Sequence, residues 1–96
     1  MDLKIIMRKK KQNIDDVKQN YIMQILKGNK LFMYNLGLLY QELEHNNDIA
    51  KTYYVYGANN GDSYCMMALG IFYSIIEKNN DQAKYYLELA IEKNNI

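Results

Sequence analysis

Apolar residues fall at helical spacing through most of the chain. Phe32, Leu36, Leu39, Tyr40 and Leu43 stand three and four apart, which makes one apolar face of a helix. Cys65, Leu69, Phe72, Tyr73 and Ile76 repeat that face further along. The spacing predicts helices over about 30–44 and 63–77. A polar tetrad follows each of them, His45-Asn46-Asn47-Asp48 and Lys78-Asn79-Asn80-Asp81, and both read as turns in which Asn adopts the left-handed conformation. Asp48 and Asp81 are then expected as N-caps of following helices over about 49–59 and 82–93. Asp15 would start an earlier helix, about 16–27, in the same way. Gly28 and Gly61 are placed to stop the first two of these following helices.

The two halves are copies. Shifting the chain by 33 residues lays 28–60 on 61–93 without a gap, with twelve identities. They include Gly28/Gly61, Leu36/Leu69, Gly37/Gly70, Tyr40/Tyr73, Glu44/Glu77, Ala50/Ala83, Lys51/Lys84 and Tyr53/Tyr86. A fainter third copy places Asn13, Asp15, Lys18 and Gly28 under Asn46, Asp48, Lys51 and Gly61. The chain reads as one domain: a basic segment with half a unit over 1–27, then units over 28–60 and 61–95. Gly37 and Gly70 lie inside helices, where glycine costs roughly 1 kcal/mol against alanine. A repeated cost of that kind implies a closely approaching neighbour. Ala50 with Gly57, and Ala83 with Ala90, supply small residues on one face of the following helices, with Tyr53 and Tyr86 as fillers between them.

The segment Ala50-Lys51-Thr52-Tyr53-Tyr54-Val55-Tyr56-Gly57-Ala58-Asn59-Asn60-Gly61 resembles the second helix of a Sel-one-like repeat. Leu36-Gly37-Leu38-Leu39-Tyr40 and Leu69-Gly70-Ile71-Phe72-Tyr73 resemble the core of that family's first helix. The likeness covers about residues 15–95. The inter-helix loop is cut to about four residues, and the 33-residue period is nearer the tetratricopeptide length. The resemblance implies an all-α fold, a right-handed α-α superhelix of about two and a half helix-turn-helix units, used as a non-catalytic scaffold for protein binding. It also implies that the first helices line a concave groove. Its inward positions would be Leu31, Tyr34, Leu38 and Gln41, then Tyr64, Met67, Ile71 and Ser74, with Asn35 adding an amide. The partner expected is a protein or peptide, and the location cytoplasmic, in the host for a viral member.

Composition adds limits. The chain has no proline, which suits long helices. No apolar run approaches the roughly 20 residues of a membrane span, and no signal peptide is evident. Residues 1–30 hold eight Lys or Arg against three Asp, whereas 31–96 hold four Lys against eight Asp or Glu. A basic head on an acidic body could steer partners, and Arg8-Lys9-Lys10-Lys11 could contact nucleic acid, the lesser alternative. Self-association is the other alternative, because the last helix would leave Leu87 and Ile91 uncovered. His45 is the only histidine and stands in a polar turn, a poor start for a metal site. Cys65 falls at a core position without an adjacent base, so a buried structural thiol is expected. No phosphate-cradling glycine loop is present, and Glu42 and Glu44 point to different sides of a helix. No cofactor and no catalytic group are expected.

Overall fold

The computed structural model describes residues 2–94. It holds five helices and, among the described residues, no strand: α1 (Leu3–Leu26), α2 (Phe32–Glu42), α3 (Asn47–Asn59), α4 (Ser63–Ile75) and α5 (Asn80–Asn94). Helices α2 and α3 pack as one hairpin and α4 and α5 as another. Helix α3 joins the two hairpins through α4, and α1 lies against α2 alone. Among the described residues, no helix is long and apolar enough to cross a membrane.

The turns explain the hairpins. Among the described residues, His45 and Lys78 are the non-glycine residues with positive φ, 52° and 51°. The left-handed positions thus fall one residue before the asparagines expected there. Asn46 and Asn79 instead cap the next helices. Asn46 Oδ1 accepts from Ile49 N and Asn79 Oδ1 from Gln82 N, both at 3.1 Å. Asp48 and Asp81 are not caps. They sit in the first helical turn, where a carboxylate still favours the positive end of the dipole. Gly28 and Gly61 take φ of 99° and 86° and end α1 and α3, as expected.

Helix α1 starts far earlier than residue 16. Asp2 caps it, accepting from Lys4 N at 3.0 Å. Asp15 is a mid-helix residue, 3.4 Å from Lys18. Nothing between Leu3 and Leu26 is glycine or proline, and Lys, Arg, Gln, Met and Leu are strong helix formers. The helix therefore runs on through the basic cluster, whose residues Arg8 to Lys11 are all exposed.

The core lies between the hairpins. Leu36, Leu39, Ala50, Tyr54, Cys65, Met66, Leu69, Phe72, Ala83 and Ala90 are buried. Leu43 and Ile76, placed on the apolar faces by their spacing, are exposed beyond the helix ends.

The glycines admit different neighbours from those expected. A Cβ on Gly37 would stand 2.5 Å from Tyr54 Cε1, and one on Gly70 would stand 2.7 Å from Leu87 Cγ. Gly37 and Gly70 are thus seats for Tyr54 and Leu87, residues 33 apart, and not for Ala50 and Ala83. A Cβ on Gly57 would run into Cys65, so that glycine serves the joint between hairpins. Tyr53 and Tyr86 are half-buried and stack on Tyr40 and Tyr73, each pair with centroids 5.8 Å apart. Leu87 turns inward onto α4, whereas Ile91 stays exposed.

Candidate functional site

Helices α2 and α4 are both first helices of a hairpin, and they also touch one another. Where they meet, Tyr34 and Tyr64 stack with centroids 5.6 Å apart and planes at 28°. Tyr34, Leu38 and Gln41 of α2 and Tyr64, Met67 and Ile71 of α4 line one cleft of about 230 Å³. Six of the nine residues expected inward thus come together. Tyr64, Met67 and Ile71 are exposed, so the wall offered by α4 is apolar and open.

Leu31 and Asn35 lie to one side. With Tyr34 and Tyr64 they form a second hollow of about 230 Å³. Asn35 also faces a cleft of about 300 Å³ between α1 and α2, lined by Val17, Tyr21, Leu38, Leu39, Glu42 and Leu43. Ser74 is exposed and lines none of these clefts.

The floor of the α2–α4 cleft includes Tyr54, which spacing alone did not single out. Its side chain is fully buried, and its hydroxyl donates to Gln41 Oε1 at 2.7 Å. Burial pushes the phenol well above its ordinary range, and Tyr34 and the Glu42 carboxylate add to the shift. The phenol therefore stays a donor, and it holds the Gln41 side chain by its amide oxygen at the lining of the cleft. Glu42 and Ala68 complete the lining. Both follow from helical period, since Glu42 is four residues past Leu38 and Ala68 four past Tyr64.

The remaining signature residues build the frame. Leu36, Gly37, Ala50, Gly57, Leu69, Gly70, Ala83 and Ala90 are buried, and Tyr40, Tyr53, Tyr73 and Tyr86 form the two stacks. Cys65 is fully buried. Burial first, then the neighbouring Asp62 carboxylate, pushes its thiol far up, the reverse of what a nucleophilic thiolate needs. His45 is exposed in its turn, and no three His, Cys, Asp or Glu residues converge among the described residues.

Searches against protein-family models, curated proteins and solved structures return no match.

Proposed function

We propose that the chain is a protein-binding module, a shortened repeat of the Sel-one-like or tetratricopeptide-like kind, that holds a partner's peptide in the α2–α4 cleft. One observation carries this reading: the open cleft is walled by Tyr34, Tyr64, Met67 and Ile71 and floored by a hydroxyl–amide pair. Aromatic and Met side chains give adaptable contact area, and burying such groups is how interfaces gain most of their affinity. The Gln41 amide supplies a donor for a peptide carbonyl. The superhelical reading rests on recurrence. The caps, the left-handed residues, the glycine seats and the tyrosine stacks return 33 residues later with matching geometry. A scaffold of this kind acts in the cytoplasm and catalyses nothing.

The test selects peptides from a displayed library on the full chain. Binding is then compared with a Tyr34→Glu/Met67→Glu double variant whose helicity is checked by circular dichroism. The reading expects selected peptides to lose at least about tenfold in affinity on the folded variant, as loss of an interface hot spot does. Equal binding to both proteins would place the partner elsewhere.

A further inference from the structure

At the joints between its hairpins this molecule holds a cation by a ring and a carboxylate together. Lys18 of α1 donates to Glu44 at 2.7 Å and lies 5.3 Å from the centroid of the Tyr40 ring. Lys51 of α3 donates to Glu77 at 2.6 Å and lies 4.8 Å from the Tyr73 centroid. Each tyrosine is backed by a second ring, Tyr53 or Tyr86. A stacked pair of rings with an acid beside it therefore seats a positive group, because ring face and carboxylate both attract it.

The α2–α4 cleft has the same ingredients without the cation. Tyr34 and Tyr64 are its stacked pair, and Glu42 is the one charged residue of its lining. Glu44 and Glu77 are each taken by a lysine, whereas Glu42 forms no ion pair among the described residues. Glu42 borders the α1–α2 cleft as well. Its charge is nevertheless felt by the Tyr54 phenol on the floor of the α2–α4 cleft, which brings the carboxylate within reach from this side. Gln41 Oε1 beside it accepts from Tyr54 and keeps a second lone pair. Tyr64 is 57% exposed, so its ring is open to an incoming group. The cleft is formed wholly within the chain, walled by α2 and α4 and floored by α3. Its acceptors and rings call for a positively charged donor, and no lysine or arginine lines it.

We propose that the peptide held in the α2–α4 cleft presents an arginine, whose guanidinium pairs with the Glu42 carboxylate and lies against the Tyr34–Tyr64 rings while an apolar neighbour covers Met67 and Ile71. This inference rests on the cleft reading above and names the chemistry of the occupant. Arginine fits better than lysine because its planar fork meets a carboxylate with two bonds and stacks on a ring. The occupant is a segment of another protein. Arg8 is the only arginine of this chain, and Lys9, Lys10 and Lys11 beside it would meet apolar walls and no further acid in the cleft of a second copy.

The test selects peptides from a displayed library on the full chain and keeps those lost on the folded Tyr34→Glu/Met67→Glu variant. These are the cleft binders, and an arginine at a fixed position is expected in them. Exchanging that arginine for methionine should weaken binding to the wild type by at least about tenfold, and exchanging it for lysine should weaken binding less. On Glu42→Gln, an exposed substitution checked by circular dichroism, the difference between the arginine and methionine peptides should shrink at least about fivefold. Cleft binders without a fixed arginine, or whose arginine matters as much on Glu42→Gln, overturn this inference and leave the cleft reading standing. A library that yields no peptide lost on the double variant overturns both. Sedimentation velocity on the full chain adds a further outcome. Self-association abolished by Arg8→Met and by Glu42→Gln alike would place a second copy in the cleft and overturn the foreign occupant.

Discussion

Tyr54 shows how much one side chain decides. It is the largest fully buried residue, and burying such a ring contributes about 1.5–3 kcal/mol. Its ring has room because Gly37 has no side chain. A Gly37→Leu substitution puts branched carbon where the ring now lies, and overpacking of this kind costs about 1–3 kcal/mol. Urea denaturation should show that loss with little change in slope, and an unchanged midpoint would mean that the ring has another place to go. The need for a glycine at positions 37 and 70 was legible, because the pair recurs at a cost to helix stability. What the glycine admits was not. The identical pair Tyr53/Tyr86 suggested the filler, yet the residue in the seat is the next one along, Tyr54 in one hairpin and Leu87 in the other. One position on a helix is a turn of about 100°, and two adjacent tyrosines give period analysis no means of choosing between them.

Among the elements, α1 is held least firmly. It has 24 residues and so spans about 36 Å, yet none of them is buried, and its packing partner is α2 alone. Its first half extends past that partner as a regular helix carrying Arg8 to Lys11. Hydrogen exchange should therefore find the amides of 3–14 opening readily, and those of α3 and α4 around Tyr54, Cys65 and Leu69 the slowest. Equal protection along α1 would show that something else covers it. The four later helices were legible to within two or three residues, since apolar period and turn tetrads both recur. The start of α1 was not, because a likeness to a unit beginning near Asp15 gives no warning that the helix runs on before it. Caps were misassigned for a related reason: Asn and Asp both cap well, and each turn, still four residues long, lies two residues earlier than the tetrads suggest.

The whole molecule is elongated, 50 × 32 × 21 Å, with a radius of gyration of 15.2 Å. A compact chain of this length would have about 12.5 Å. Such a shape is held by joints between neighbours, and the shifted groups at those joints and in the core move one way. Cys65 is raised from 9.0, Tyr53, Tyr54 and Tyr86 from 10.0, and Lys18 and Lys51 from 10.5. For the cysteine and tyrosines the first cause is burial, and for the lysines the first is the bond to Glu44 or Glu77. The folded chain keeps protons that the unfolded chain releases once pH passes those ordinary values. The contribution of these groups is therefore complete below about pH 9 and is lost as pH rises beyond it. The urea midpoint should fall steadily between about pH 9 and pH 11, and a level profile there would contradict the packing described. The cleft was legible as a set of helix positions, and its floor became visible only when α3 was laid beneath it. The central claim is that a partner enters between α2 and α4. A nitrogen-edited NMR titration of the labelled chain with a library-selected peptide tests it most directly. The account predicts shifts centred on Tyr34, Leu38, Gln41, Met67 and Ile71, with α1 and the outer face of α5 unmoved. Shifts confined to α1 or to that outer face, with the cleft silent, would contradict it.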